Sequence, residues 1–174
     1  MGSEASDELR HRVVDTPIGG VTLVAGSQGL THVFFPGSGP DEEGLTTTPG
    51  DDDPVLAEAA RQLDEYFAGD RHEFDLPIDL RPTETSTFER ETWMALATIP
   101  YGETISYATQ AERIGRTGAF RAVGATNGRN PLPIVLPCHR VIGADGKLVG
   151  FGGGLDVKRA LLDLESGVQQ LPLG

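Results

Sequence analysis

A single cysteine, Cys138, is the feature of this 174-residue chain that most limits how its fold can be stabilised. One thiol cannot form an internal disulfide, and it cannot supply a metal site made of several thiolates. The fold must therefore depend on buried apolar side chains, and 174 residues are enough for one large domain or two small ones. Cys138 itself is either a small, inert core side chain or a nucleophile.

The surroundings of Cys138 keep both interpretations open. His139 and Arg140 follow it, and a neighbouring imidazole and guanidinium favour the thiolate, which is the nucleophilic form of the thiol. Residues 131–137 carry three prolines around a short apolar run. This composition predicts a stiff, extended, buried segment that holds Cys138 in a fixed place. From the residue types alone, a structural thiol and a catalytic thiol are equally compatible with the sequence.

The charge of the chain is unevenly distributed. The net formal charge is −12, of which residues 1–80 contribute −13 and residues 81–174 contribute +1. Residues 105–150 hold 6 basic and 2 acidic side chains, so the segment around the cysteine suits a polyanion although the whole chain does not. The N-terminus is acidic and polar, unlike a targeting peptide, and no stretch approaches the ~20 apolar residues of a membrane span. With the free thiol, these features predict a cytoplasmic protein that is not associated with membranes.

The first half of the chain predicts a small α+β domain over residues 1–80. Runs of β-branched residues separated by turn residues predict three strands of an antiparallel sheet within 11–35 and a further strand over 72–80. Residues 36–53 predict a flexible acidic loop, and an amphipathic helix follows from Pro54 to Phe67. The histidines of this half lie on separate elements without metal-ligand spacing, so no metal site is predicted.

After a linker over residues 81–86, residues 87–174 predict a helical domain. Ser86 and Glu89 form a capping box that opens a helix, and Pro100 ends it. Because helical patterns dominate this half and strand patterns the other, the predicted fold class is α+β.

Two short helices, Tyr107–Ile114 and Ala119–Asn127, are predicted on either side of a glycine-containing turn. This is a helix-turn-helix candidate, although any small helical domain can show the pattern. The second helix carries Arg121 among small residues that include Gly124. A glycine there costs about 1 kcal/mol of helix stability relative to alanine. Close approach to a partner and tight packing on a neighbouring helix explain Gly124 equally well.

The glycine-rich run from Val149 to Gly154 is not a nucleotide-binding loop. It lacks the Gly-Lys-Ser/Thr ending of a P-loop, and it lacks the strand and distant acidic residue of a dinucleotide fingerprint. It predicts the wall of a close-fitting pocket, with backbone amides pointing inward and the ring of Phe151 available for stacking. A last helix is predicted over Leu155–Glu165.

The chain resembles the alkylguanine-DNA alkyltransferases, also called methylated-DNA–protein-cysteine S-methyltransferases. The resemblance is carried by Pro-Cys-His-Arg-Val at 137–141, by Gly-Phe-Gly-Gly-Gly-Leu at 150–155, and by Tyr107, Arg121 and Asn130. It runs without a gap from about Thr87 to Glu165 and extends weakly over 11–35. It implies a repair protein that flips an O6-alkylated guanine out of double-stranded DNA and transfers the alkyl group irreversibly to its own cysteine. No cofactor is implied, and we expect a monomer.

The resemblance implies a role in the reaction for each matching residue. Cys138 would accept the alkyl group, His139 would draw off the thiol proton through a water, and Glu165 would hold this relay. Asn130 would brace the turn that carries the thiol. Catalysis would therefore depend on side chains from three separated parts of the sequence.

The resemblance also implies how substrate is held. Tyr107 would press on the phosphate and donate to the base, while the carbonyls of Cys138 and Val141 would accept from the guanine amino group. The Gly152 amide would point at the alkylated oxygen, with Val149 and Phe151 lining the same pocket. Arg121 would fill the gap left in the base stack. The residues predicted to contact DNA are Arg121, Ala122, Gly124, Ala125, Arg129 and Arg140.

The chain departs from the family pattern in two respects. Phe151 stands where members often have tyrosine, so ring stacking is kept while a hydroxyl is lost. The single cysteine excludes the N-terminal zinc site of some relatives. The acidic insertion at 36–53 has no role that the resemblance supplies.

Two other functions compete with alkyl transfer. A protein that recognises lesions without chemistry is one, but relatives of that kind lack the acceptor cysteine. A cysteine hydrolase that uses Cys138 and His139 is the other. Adjacent side chains in an extended segment usually point apart, which disfavours this pair.

Overall fold

In a computed structural model of the chain, residues 8–146, 151 and 153–167 are described. The described residues up to Pro82 form one compact unit, and those from Thr83 onward form a second. This division falls within the linker predicted over 81–86. No helix among the described residues is long and apolar enough to cross a membrane.

The first unit contains a four-stranded sheet. Its strands are β1 (Leu9–Thr16), β2 (Gly19–Gly26), β3 (Gly29–Phe34) and β4 (Thr47–Pro49), in the order β3-β2-β1-β4. The pairs β1–β2 and β2–β3 are antiparallel, and β4 lies parallel to β1. The three strands predicted within 11–35 are confirmed, and so is the α+β class.

Helix α1 (Pro54–Phe67) has the predicted bounds. The Asp53 carboxylate accepts hydrogen bonds from the amides of Val55 and Leu56 at 2.9 and 3.0 Å, which satisfies two amides that the first helical turn leaves unpaired. The helix packs on the sheet through one apolar face. The buried apolar side chains of this face are Leu56, Ala59, Ala60, Leu63 and Tyr66.

Two predictions for the first unit are wrong. The loop at 36–53 is not free of regular structure, because Pro40–Glu43 forms a 3₁₀ helix and β4 pairs with β1 as the edge strand of the sheet. The strand predicted over 72–80 is reduced to an isolated bridge between Leu30 and Ile78. Leu30 bonds the Pro77 carbonyl at 2.8 Å, but proline has no amide hydrogen with which to extend the ladder.

The second unit is built on four helices and a short parallel strand pair in the part of the chain that is described. The helices are α2 (Thr87–Leu96), α3 (Tyr107–Arg113), α4 (Phe120–Asn127) and α5 (Leu155–Ser166), and the strands are β5 (Ile105–Ser106) and β6 (Val141–Ile142). The predicted helices are confirmed, although α2 ends at Leu96, before Pro100 is reached. The β5–β6 pairing brings the start of α3 next to the segment that follows Cys138.

The capping box predicted for α2 forms only in part. The Ser86 hydroxyl accepts from the Glu89 amide at 3.2 Å, as predicted. The Glu89 carboxylate, however, accepts from the amide and hydroxyl of Thr85 rather than from the Ser86 amide. The start of α2 is therefore held by Thr85 as well as by the two residues of the predicted capping box.

A buried pair of amide side chains fixes α3 against α4. Gln110 and Asn127 exchange hydrogen bonds of 3.1 and 2.7 Å, and Gln110 also donates to the Thr92 carbonyl of α2 at 3.1 Å. Trp93 of α2 donates to the Thr126 carbonyl at 2.8 Å. All three helices are thereby held together by hydrogen bonds that no water can replace, because Gln110 is fully buried.

Replacing Asn127 with alanine should lower the free energy of unfolding by about 2–4 kcal/mol, because it leaves the buried Gln110 Oε1 without a donor and keeps only the Thr92 carbonyl as partner of Nε2. The double variant Gln110→Met/Asn127→Leu should lose less, since it strands neither amide. Urea denaturation followed by the fluorescence of Trp93, the one tryptophan of the chain, measures both. A loss in the double variant equal to or larger than that of Asn127→Ala would contradict this account.

Candidate active site

The segment that carries the cysteine is buried, as predicted, but it is not extended. Residues 131–137 fold into turns, and the Leu136 amide bonds the Leu132 carbonyl at 2.8 Å. Ile134 has a φ of 74°, in the left-handed region that a β-branched residue rarely adopts. Its side chain is 1% exposed, and burying it offsets a strain of about 1–3 kcal/mol. The turn is thus held in an unfavourable backbone conformation by the packing of its own side chain.

Asn130 braces this turn from both sides. Its amide nitrogen donates to the Leu136 carbonyl at 2.8 Å, and its carbonyl oxygen accepts from the Leu132 amide at 2.9 Å. Hydrogen bonding from the Asn130 side chain also acts to lower the pKa of the Cys138 thiol. These two hydrogen bonds hold the turn that precedes Cys138.

Cys138 begins a short 3₁₀ helix, Cys138–Arg140, and remains partly accessible. Burial of the sulfur raises the pKa of its thiol. The Asn130 hydrogen bond and the positive charge of Lys158 oppose this shift. The groups that favour the thiolate are therefore Asn130 and Lys158, and not the adjacent guanidinium that the sequence indicated.

The 3₁₀ turn directs His139 and Arg140 to the same carboxylate. His139 Nε2 lies 2.7 Å from Glu165 Oε2, and Arg140 donates to Glu165 Oε1 and Oε2 at 2.8 and 2.9 Å. The side chains of His139, Glu165 and Arg140 are 0%, 1% and 7% exposed. One buried carboxylate on α5 thus holds both residues that follow the cysteine.

This pairing determines the tautomer of His139. Glu165 accepts the hydrogen of Nε2, so Nδ1 carries the lone pair. Burial lowers the pKa of His139, although Glu165 opposes the shift, and the ring is neutral near pH 7. Among the described residues, Nδ1 of His139 is the only buried side-chain nitrogen or oxygen without a hydrogen-bond partner. A neutral imidazole with a bare Nδ1, on the residue that follows the cysteine, can accept a proton.

The prediction that Arg140 contacts DNA is wrong for its guanidinium. Arg140 is 6% exposed, and besides Glu165 it donates to the Ile99 carbonyl at 2.7 Å. A guanidinium with these partners cannot reach a phosphate without breaking a buried ion pair. Its place in the site is to hold Glu165.

Lys158 is a site residue that sequence reasoning missed. It is fully buried on α5, and its Nζ donates to the Val141 carbonyl at 2.8 Å. Nζ also lies 6.0 Å from the ring centroid of Tyr107 and 5.8 Å from that of Phe151. Burial lowers the pKa of Lys158, and the Cys138 thiolate opposes this. Its spacing from Glu165, two turns along the same helix, was the available signal.

The predicted substrate-binding residues fall into three groups. Tyr107 and Phe151 are half-buried and face Lys158. The Val141 carbonyl accepts from Lys158, and the Cys138 carbonyl accepts from the Val141 amide. Val149 and Gly152 lie outside the described residues.

The phenol of Tyr107 stays protonated at neutral pH. Burial raises its pKa, and the negative charge of the Cys138 thiolate adds to the effect. A protonated phenol at the mouth of the site can donate a hydrogen bond or a proton to a bound base.

The predicted DNA-contacting residues of α4 lie on its surface. Arg121, Ala122 and Ala125 are exposed, and Gly124 is half-buried. A Cβ on Gly124 would meet the Tyr107 ring at 3.6–3.7 Å, which is ordinary contact, so packing within the chain does not require a glycine. Close approach to a partner is the explanation that remains.

Arg129 is only partly available for a partner. Its side chain is 57% exposed, but Nε donates to Glu89 at 3.2 Å and Nη1 to the Ala125 carbonyl at 3.3 Å.

Among the described residues, no three His, Cys, Asp or Glu side chains are grouped so as to hold a metal ion.

Both units match models of one protein family. Residues 87–167 match the 6-O-methylguanine DNA methyltransferase DNA-binding domain, and residues 9–80 match the 6-O-methylguanine DNA methyltransferase ribonuclease-like domain. The methylated-DNA–protein-cysteine methyltransferase of Mycolicibacterium paratuberculosis is 51% identical over 159 residues, and that of Mycobacterium bovis is 48% identical over 157. Each alignment covers 90% of this chain and 92% of the relative.

Solved structures agree with this match. The crystal structure of Mycobacterium tuberculosis O6-methylguanine methyltransferase has a TM-score of 0.80 at 45% identity, covering 93% of this chain and 95% of that one. The structure of Mycobacterium tuberculosis OGT in complex with DNA has a TM-score of 0.79 at 47% identity, covering 91% and 93%.

Replacing Lys158 with methionine should shift the pH dependence of Cys138 alkylation by iodoacetamide to higher pH. The positive charge that opposes the raised thiol pKa is removed, and each unit of pKa lowers the thiolate fraction about tenfold at pH 8. Mass spectrometry measures the alkylation rate against pH.

The matched control is Arg159→Met, which removes the same charge from an exposed position of the same helix. We expect it to leave the profile in place. Equal shifts in both variants, or no shift in Lys158→Met, would contradict the role given to Lys158.

Proposed function

The chain belongs to the 6-O-methylguanine DNA methyltransferase family, and on that premise we propose that Cys138 is the residue that takes the alkyl group. The protein repairs alkylated DNA by transferring an alkyl group from guanine to a cysteine of its own. Cys138 is the one cysteine in the sequence, so no other thiol is available. The observation that carries the assignment is the bare, buried Nδ1 of the residue next to it.

In this proposal His139 is the base that activates the thiol. Nδ1 accepts the thiol proton through a water molecule, and Glu165 stabilises the imidazolium that forms. Arg140 positions Glu165 and does not touch the substrate. Positive charge from Lys158 and the Asn130 hydrogen bond stabilise the thiolate while it exists.

The transfer itself is an in-line displacement at the alkyl carbon. A sulfur–carbon bond forms, the carbon–oxygen bond to guanine breaks, and its electron pair stays on the base. Tyr107 donates a proton to the departing guanine and regains one from the His139 imidazolium, so the thiol proton ends on the base. The thioether has no easy leaving group, and each molecule therefore reacts once.

The alkyl carbon must leave the duplex before the sulfur can reach it. A stacked, paired guanine cannot present that carbon to the thiol, so the base is flipped out at a cost of a few kcal/mol. The exposed small residues Ala122 and Ala125, with Gly124, allow α4 to approach the minor groove closely. Arg121, exposed on the same helix, occupies the gap in the stack.

We place this reaction in the cytoplasm and assign it to a monomer. A free thiol that must stay reduced until it meets its substrate supports a reducing compartment. One copy of the chain supplies every side chain used above, which supports action without a second subunit.

Intact-protein mass spectrometry after incubation with a duplex that contains O6-methylguanine tests the proposal. We expect one adduct of about 14 Da, located on Cys138, stoichiometric and irreversible. Cys138→Ala should show no adduct and should bind the same duplex with unchanged affinity, because the thiol touches only the flipped base.

The controls separate the competing functions. An unmodified duplex should give no adduct on the wild-type protein. Binding without a mass change would indicate a lesion-binding protein, and repeated turnover without a stable adduct would indicate a hydrolase. Either result would overturn the assignment of Cys138.

A further inference from the structure

A large aromatic side chain stands exposed beside the proposed finger residue. Phe120 is the first residue of α4 and is 46% exposed. The guanidinium carbon of Arg121 lies 5.9 Å from the centroid of its ring. Single exposed apolar side chains are common on protein surfaces, so exposure alone does not indicate a function. The position of Phe120 on the helix is the further evidence.

Phe120 lies on the side of α4 that leads towards Tyr107. Residues 120 and 124 are one helical turn apart and share a side of the helix. A Cβ on Gly124 would be 3.6–3.7 Å from the Tyr107 ring, so this side faces the substrate-binding tyrosine. Arg121 follows on the exposed face. The phenylalanine thus lies next to Arg121, on the side of α4 that faces Tyr107.

The surroundings of Phe120 suit nucleic acid rather than another protein. Its neighbours Ala119, Ala122 and Ala125 are too small to cover the ring, and the exposed charges nearest in sequence are Arg116 and Arg121. The ring therefore projects from a surface of small residues and arginines, continuous with the face of α4 that we propose to meet DNA. Apolar rings on such surfaces enter the minor groove and unstack a base step.

We propose that Phe120 inserts into the minor groove next to Arg121 and stacks on the base step beside the flipped guanine, which stabilises the extrahelical state. This inference rests on the proposed function, because it assigns a second contact to the same DNA face. The ring replaces part of the stacking that the flipped base loses. Its pairing with Arg121 presents the guanidinium and the ring side by side, so that both enter the duplex together.

Single-turnover transfer rates on two substrates test the proposal. On a duplex with O6-methylguanine, Phe120→Ala should react roughly tenfold more slowly, since one base–aromatic stack is lost. On the free O6-methylguanine base, which needs no flipping, its rate should equal that of the wild type. Phe120→Trp keeps a stacking ring and should retain the wild-type rate on both.

Met94→Ala is the matched control, because Met94 is an exposed apolar side chain of α2 in the same unit. It should change neither rate. As a second measurement, 2-aminopurine placed beside the lesion should brighten on binding to Cys138→Ala, and less so when Phe120→Ala is added.

The outcomes distinguish a failure of the role of Phe120 from a failure of the proposed function. An unchanged duplex rate in Phe120→Ala, or an equal loss on duplex and free base, would overturn the role of Phe120. If the wild-type protein is not methylated by either substrate, the proposed function itself fails.

Discussion

The Glu165 carboxylate is the interaction on which the rest of the site depends. It lies on α5, far along the chain from the cysteine, and it accepts hydrogen bonds from His139 and Arg140 inside the core. Without it, a buried guanidinium would be left uncompensated, which is among the most destabilising changes a core can suffer. With it, the imidazole is fixed in one tautomer and its lone pair is directed away from the carboxylate. The buried ion pair that stabilises the fold thereby also determines which nitrogen of His139 can accept a proton.

Burial favours the uncharged form of both the Cys138 thiol and the His139 imidazole. It raises the pKa of Cys138 and lowers that of His139, so both resting groups are uncharged. A neutral thiol reacts more slowly with oxidants and alkylating agents than a thiolate does. Lys158 and Asn130 then supply the stabilisation that the thiolate requires during reaction. The strained turn at Ile134, braced by Asn130, fixes the sulfur where these groups meet.

Local patterns in the sequence predicted what local physics controls. The capping residue and apolar spacing of α1 determine its bounds, and the Ser86 cap determines the start of α2. Predictions failed where distant residues decide the outcome. The chain before Ile78 cannot extend a strand because of Pro77, and Arg140 is withdrawn from the surface by a carboxylate that sequence spacing does not place beside it.

The site shows the same division. Cys138, His139, Glu165 and Asn130 were named from the resemblance to a family; the structure pairs His139 with Glu165 and places Asn130 on the turn that precedes Cys138. Lys158 was missed because a lysine carries no local sign of burial; its two-turn spacing from Glu165 put it on the same side of α5, and the rings of Tyr107 and Phe151 near its amine show that it is part of the site. The tautomer of His139 was also beyond the sequence, since it follows from one hydrogen bond.

Nitrogen NMR of the His139 ring tests the central claim most directly. In the wild-type protein near pH 7, Nε2 should be protonated and Nδ1 should show the shift of a bare, lone-pair nitrogen. The chain has 4 histidines, and the signal lost in His139→Gln identifies the ring. A proton on Nδ1, or a fully protonated imidazolium, would contradict the account, because no acceptor would then remain for the thiol proton.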